Sequence, residues 1–308
     1  MLAEAGLHGP IALISAGWRH DEARDEPLRE AVGAPVQNLG LYAAFRVLER
    51  EASDLVSMYT LKQSTLRRIK ERYRMAIVPA LAGCRELWAR RRDATCPWFQ
   101  QSIRNLQAVD DLFLVESDRL HREYDEQARP FAHRRVRAEL DRLRALLDGC
   151  SSVLIAGGHV GVLRNRLAFF GFEEWLRNRR IFAWSAGAMV LTERVVLFHD
   201  HTTYGIGLAE ILDRGLGLLP GVVFLPHARE RLALDDVENV AILAQRFAPA
   251  QAIGLQNGAL LTPTTADGTS VTFTSSGVPE AAMRLGLDGA LTPLPARTST
   301  AEAHALAP

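Results

Sequence analysis

Short, unbroken apolar runs lie toward both ends of this chain. They bracket a long middle in which apolar residues recur only every third or fourth position. Ile11-Ala12-Leu13-Ile14 is the first run, ending at Ser15-Ala16-Gly17, and a second strand is expected near Val36 and Gln37. After Ser151 the runs return: Val153–Ala156 before Gly157-Gly158, Ile181–Trp184, Val222–Leu225, Ala252–Leu255, Leu260–Thr262 and Val271–Thr274. Uninterrupted runs of this length suit strands covered on both faces, as in a parallel sheet. Between the runs the apolar spacing is helical, as at Leu163, Leu167 and Phe170. Strands alternating with helices predict an α/β fold, with a doubly wound and mainly parallel sheet.

The middle is different. From Tyr42 to Asp148 strand patterns vanish, and Ile103, Leu106, Val109 and Phe113, then Val136, Leu140, Leu143 and Leu147, fall on helix faces. Four segments result: 1–41 opens the α/β domain, 42–148 is a large helical insertion, 149–287 completes the domain, and 288–308 is a flexible tail. A lid and a homodimer surface are the two roles open to the insertion.

Charge sharpens this picture. The 36 Lys+Arg residues balance 36 Asp+Glu residues, so no global field argues for nucleic acid or a membrane surface. Within the insertion, residues 61–95 carry ten basic and three acidic residues, whereas 110–126 carry seven acidic and two basic. The basic run 66-LRRIKERYR-74 therefore reads as a solvated helix face compensated by its acidic neighbour, and no nucleic-acid partner is expected. No apolar stretch approaches the roughly 18 residues of a membrane helix. Three widely spaced cysteines, Cys84, Cys96 and Cys150, suit a reducing cytoplasm rather than a disulfide framework. His199 and His201 share a strand face but have no third ligand nearby, so no metal and no other cofactor is expected.

Candidate chemistry centres on 182-FAWSAGAMVL-191, where a strand runs through Ser185 into a helix. A serine flanked by small residues at such a junction is the pattern of a nucleophile elbow: the tight turn lifts the side-chain oxygen above the sheet, facing backbone N–H groups of the next helix. The same pattern also describes an ordinary turn whose serine caps the helix. His227, in 215-GLGLLPGVVFLPHARERL-232, follows a strand and so lies at the sheet edge where α/β enzymes gather their chemistry; it is the histidine best placed to act as a base.

Together the GGH turn at 157–159, WSAGA at 184–188, GLGLLPG at 215–221, the Pro226-His227 pair and AIG at 252–254 followed by Gly258 resemble the peptidase E and cyanophycinase family. These are serine peptidases on a class I glutamine-amidotransferase-like fold with flavodoxin-like layers. The resemblance covers residues 151–276 well, the first forty loosely, and the insertion not at all. It implies Ser185 as nucleophile, His227 as general base, and Gly158 with the Ala186 N–H as oxyanion hole. The expected substrate is a small peptide or isopeptide, such as an aspartyl dipeptide.

Three positions depart from the family pattern. Where the family has an Asp-Glu pair after the AIG strand, this chain has Gln256 and Asn257; Asn257 can orient an imidazole but supplies no charge. Asp200, fifteen residues after the serine as in peptidase E-like members, is the first candidate for the third catalytic residue. Pro226 and Ala228 replace the Gln and the aromatic residue that flank the histidine in cyanophycinase-like members, which points to the peptidase E side. His159 stands where a small amide is usual and would contact substrate. Arg164, Arg229 and Arg231 are the candidate ligands for a substrate carboxylate. The rival reading is a catalytically impaired amidotransferase-like scaffold that holds a partner or ligand through the insertion. Glutamine amidotransfer itself needs a cysteine at the elbow, and none of the three stands there.

Overall fold

The computed structural model describes residues 9–91, 93–198, 209–265 and 271–296. In their described parts, Met1–Ala82, Asn105–Leu197 and Glu210–Leu218 form one compact unit, and Gly83–Arg104, Phe198–Ala209 and Leu219–Pro308 a second.

The first unit is built on a four-stranded sheet of order β2-β1-β3-β4, from β1 (Ile11–Ile14), β2 (Val36–Asn38), β3 (Ser152–Ile155) and β4 (Ile181–Ala183). Every pairing in it is parallel. All residues of β1 and β3 are buried, as their unbroken apolar runs require. On one face Ile11, Leu13, Leu154 and Ala156 pack with Val32 of helix α1 (Glu26–Val32) and Val36, with Trp18 and Phe182 partly covering them. Pro27 in its first turn and left-handed Gly33 just past its end (φ 66°) delimit α1.

Residues 42–148 are helical, in α2 (Leu41–Glu51), α3 (Ser53–Arg91), α4 (Pro97–Ala128) and α5 (Arg134–Asp148). Within the first unit α3 and α4 run antiparallel. Tyr59 meets Tyr124 at 5.9 Å between ring centroids, and Tyr73 stacks on Phe113 at 4.5 Å. The far ends of both helices, 83–91 and 97–104, belong to the second unit, where Trp88 packs on Phe99. The insertion is therefore not a body of its own.

After β3 come α6 (Val160–Phe169), α7 (Phe172–Leu176) and, beyond β4, α8 (Ala186–Leu191). Phe169 of α6 touches both Phe45 of α2 and Tyr59 of α3. Strands β5 (Arg194–Phe198) and β6 (Ala209–Arg214), which the hydrophobic pattern does not predict, pair with each other. Two buried carboxylates of β6 hold the helices. Glu210 accepts from Arg74 at 2.8 Å and faces Lys70 at 3.7 Å, both on α3. Asp213, 2% exposed, meets His121 of α4 at 2.8 Å and Arg164 of α6 at 3.0 Å. Between them Tyr73 donates to Asp110 and accepts the Ile211 N–H.

The second unit has its own four-stranded sheet, of order β12-β11-β8-β7: β7 (Val222–Pro226), β8 (Gln251–Leu255), β11 (Ala282–Leu285) and β12 (Leu291–Pro293). Only β7 and β8 are parallel; β11 and β12 pair antiparallel. Strands β9 (Ala259–Thr265) and β10 (Val271–Gly277) form a separate antiparallel hairpin. Helix α9 (Ala228–Arg231) follows β7, and α10 (Val237–Phe247), capped by Asp236, buries most of its length. The first sheet is parallel throughout, in keeping with the expectation of a mainly parallel sheet, and the second unit adds antiparallel pairings. Among the described residues the parallel character is confined to the first sheet and the β7–β8 pair. Within the segment expected as a tail from 288 onward, Leu291–Pro293 form β12; residues 297–308 lie outside the described ones. The α/β class stands. Among the described residues no helix is long and apolar enough to cross a membrane.

Burial raises the Asp213 pKa, but Arg164 and then His121 outweigh it, leaving the carboxyl below its ordinary value. The pairing therefore stabilises the fold above the ordinary carboxylate pKa of about 4, and that contribution is lost as pH falls through the lower folded value. Replacing Asp213 by Ala leaves the Arg164 guanidinium and the His121 ring without their buried partner and is expected to cost about 3–5 kcal/mol. Urea unfolding at neutral pH measures that loss, and the acid limb of the variant's stability should be shallower than that of the wild type.

Candidate active site

Three strand ends meet at the carboxyl edge of the first sheet. Gly17 lies three residues beyond β1, Gly157-Gly158 two beyond β3, and Ser185 two beyond β4. Their backbones touch. The Gly17 carbonyl accepts a hydrogen bond from the His159 N–H at 2.8 Å. A Cβ on Gly17 would lie 2.6 Å from the Gly157 oxygen, and one on Gly158 (φ 107°) 2.7 Å from the Gly17 carbonyl. No side chain fits at either position.

Ser185 adopts φ 51°, ψ −122°, a torsion that L-residues avoid and that persists only where the surroundings enforce it. The enforcing contact is two residues on. A Cβ on Gly187 would lie 2.1 Å from the Ile155 carbonyl oxygen, so the first turn of α8 crosses directly over the end of β3. Gly187 donates to Trp184 O at 2.9 Å, and the Ser185 carbonyl accepts from Ala188 and Met189. The Ser185 side chain makes no capping bond. Ser185 thus stands at the N-cap position of α8 without a side-chain capping bond. Its hydroxyl instead lies beside the glycine turn, 3.4 Å from where a Gly157 Cβ would stand. Among the described residues the N–H groups of Gly157, Gly158 and Ala186 have no acceptor.

His227 belongs to the second unit. It follows β7 in the left-handed region (φ 55°), donates its N–H to Leu255 O at 2.8 Å and accepts from the Arg231 N–H. The half-buried imidazole makes no hydrogen bond or ion pair among the described residues. Asn257 is exposed in the turn joining β8 to β9 and makes no hydrogen bond to His227. Asp200, with His199 and His201, lies outside the described residues.

The remaining sequence candidates are placed as follows. Arg164 is 11% exposed and committed to Asp213, and its Nε donates to Arg214 O at 2.9 Å. Its guanidinium holds α6 against β6. His159 caps α6, its Nδ1 accepting from the Val162 N–H at 3.2 Å. Arg229 is exposed, 3.9 Å from Asp235. Arg231 is exposed at the end of α9. Among the described residues no three His, Cys, Asp or Glu side chains are grouped to hold a metal. Gly17 was missed as part of the site. Its signal was the Ser15-Ala16-Gly17 stretch closing the first apolar run, which marks a turn but not what that turn packs on.

No protein-family model matches this chain, and no curated protein does. Among solved structures it is similar to a peptidase from an acI-B1 Actinobacterium. The two are 19% identical, with a TM-score of 0.35 over 60% of this chain and 75% of that one.

Gly187→Ala is expected to lose at least about 3 kcal/mol in urea unfolding, because a backbone oxygen must move. Gly83 of α3 has open space where its Cβ would be, and Gly83→Ala should gain about 0.5–1 kcal/mol from helix propensity. Comparable effects at the two glycines would refute the close approach at the elbow.

Proposed function

We propose that this chain is a serine hydrolase that cleaves a small peptide or isopeptide through an acyl-enzyme on Ser185. The observation that carries the reading is the enforced φ 51°, ψ −122° torsion of a serine whose hydroxyl caps nothing and lies beside a glycine turn. In this reading Ser185 Oγ attacks the scissile carbonyl carbon while His227 takes the hydroxyl proton. The oxyanion receives the N–H groups of Gly158 and Ala186, and the proton passes to the departing amine. Water, deprotonated by the same imidazole, then attacks the ester and releases the acid. The freedom of the Gly158 and Ala186 N–H groups supports the second role, and the uncommitted His227 imidazole supports the first. The resemblance to peptidase E and its amidotransferase-like, flavodoxin-layered fold belongs to this reading, as does a reducing compartment, which the three free thiols suit.

A second reading rests on Asn257. It is exposed and makes no bond to His227, so the position that would carry a charged partner neither orients nor stabilises an imidazolium. A catalytically impaired scaffold that binds its ligand without turning it over fits that observation.

Intact-mass measurement after treatment with a fluorophosphonate separates the two. The hydrolase reading expects one adduct on the wild type, none on Ser185→Ala, and labelling slowed at least about 100-fold in His227→Ala, the scale of a lost general base. A wild type that stays unlabelled sinks the hydrolase reading in favour of the scaffold.

A further inference from the structure

Only two of the 36 basic residues are lysines, Lys62 and Lys70, and both stand on α3. They are not placed as surface charges. Tyr59, Lys62, Leu66, Lys70, Tyr73 and Ile77 recur at helical spacing along one row of α3, and Tyr59, Tyr73 and Ile77 of that row are buried. A chain that uses arginine for every other basic charge thus sets its two amines on the inner face of one helix. There an amine can lose its proton, and a guanidinium cannot.

The two surroundings differ. Lys70 lies 3.7 Å from the Glu210 carboxylate of β6. Lys62 has no hydrogen bond and no ion pair among the described residues. Its Nζ lies over two aromatic rings, 4.2 Å from the centroid of Tyr124 and 5.2 Å from that of Tyr59. Tyr124 is 6% exposed, and its hydroxyl is buried without a hydrogen-bond partner. Burial pushes both amines down to about 8; Asp125 and Asp213 oppose it and Arg164 adds to it at Lys62, while Glu210 opposes it at Lys70. Burial therefore does not separate the two lysines, and the rings do. A ring face attracts a cation and repels an anion. An amide on Lys62 would offer the rings no charge and a carbamate the wrong one, whereas a protonated imine keeps the positive charge where the ammonium held it.

We propose that Lys62 is a covalent site for a small aldehyde or ketone, held as a protonated imine against Tyr124 and Tyr59. The Nζ lone pair of the neutral amine bonds to the carbonyl carbon, and a proton moves from nitrogen to the carbonyl oxygen, giving a carbinolamine. The new hydroxyl accepts one more proton and departs as water while the nitrogen lone pair closes the C=N bond. That added proton accounts for the charge on the imine. The Tyr124 hydroxyl, kept protonated by burial on the ring that Nζ faces, is the donor at hand for the departing oxygen. Lys62 is half-buried, which limits the partner to a small carbonyl compound. The site owes nothing to Ser185 or to the hydrolase reading.

Propanal with cyanoborohydride tests it on the full chain. The reductant delivers hydride to a protonated imine and fixes it as a propyl group, and digestion with mass spectrometry reads Lys62, Lys70 and the amino terminus separately. Lys70 is the internal control, because burial lowers it to the same value while its cation is tied to Glu210. At pH 7 Lys62 is expected to be propylated at least about tenfold faster than Lys70 and than lysine amide in solution, since an ordinary lysine titrates near about 10.4 and is almost wholly protonated there. Lys62→Arg should abolish this adduct and leave fluorophosphonate labelling of Ser185 unchanged. Tyr124→Leu removes the nearer ring and should bring the Lys62 rate down to that of Lys70. Should either variant misfold, mapping on the wild type decides alone. Equal rates at the two lysines, or a Lys62 rate no higher than that of lysine amide, overturns the proposal, and an unchanged rate in Tyr124→Leu overturns the part given to the rings.

Discussion

The approach of Gly187 to the Ile155 carbonyl governs the candidate site. With 2.1 Å between that oxygen and any Cβ, α8 can cross the end of β3 only if its second residue is glycine, and a helix entering at that depth must turn sharply from β4. The turn falls on Ser185, which takes an unfavourable torsion because the residues on either side have no alternative. Ala186 to Leu191 are all buried, so the cost at one residue is offset by apolar burial along the helix. Strain at Ser185 is then a consequence of packing, and it sets the oxygen beside the glycine turn.

A second constraint keeps this edge in place. Helix α6 begins directly after Gly157-Gly158-His159, so its orientation sets that of the glycine turn. Arg164 fastens α6 to Asp213, and His121 fastens α4 to the same carboxylate. Buried ion pairs contribute modestly to net stability because desolvation offsets the attraction, but they penalise every arrangement in which one partner is left alone. Glu210 does the same for α3. The helical insertion is thereby registered against β6 by charge, while the aromatic contacts among Phe45, Tyr59, Tyr124 and Phe169 supply the apolar burial.

How much of this was legible follows from the range of each interaction. Strands β1, β3, β7 and β8 are read directly because parallel pairing buries both faces and leaves an unbroken apolar run, and β4, half-buried at the sheet edge, keeps a short apolar run of its own. The serine junction is legible because its small neighbours are adjacent in sequence. Strand β6 is not: Ala209–Arg214 contains two acids and an arginine, which read as a surface segment until their partners, 92 residues away for His121 and Asp213, are known. The partner of Arg164 is hidden for the same reason, since nothing near it in sequence announces Asp213. The antiparallel strands β11 and β12 are hidden because they are short and partly polar.

The turn after β1, where Arg19 adopts φ 59°, was illegible for a different reason. A positive φ at arginine has no sequence signature, whereas at glycine it does. The surrounding residues, Trp18 to Asp21, carry no apolar period and read as loop. What makes the turn intelligible is its setting: Gly17 packed on Gly157-Gly158, and those glycines packed on Ser185.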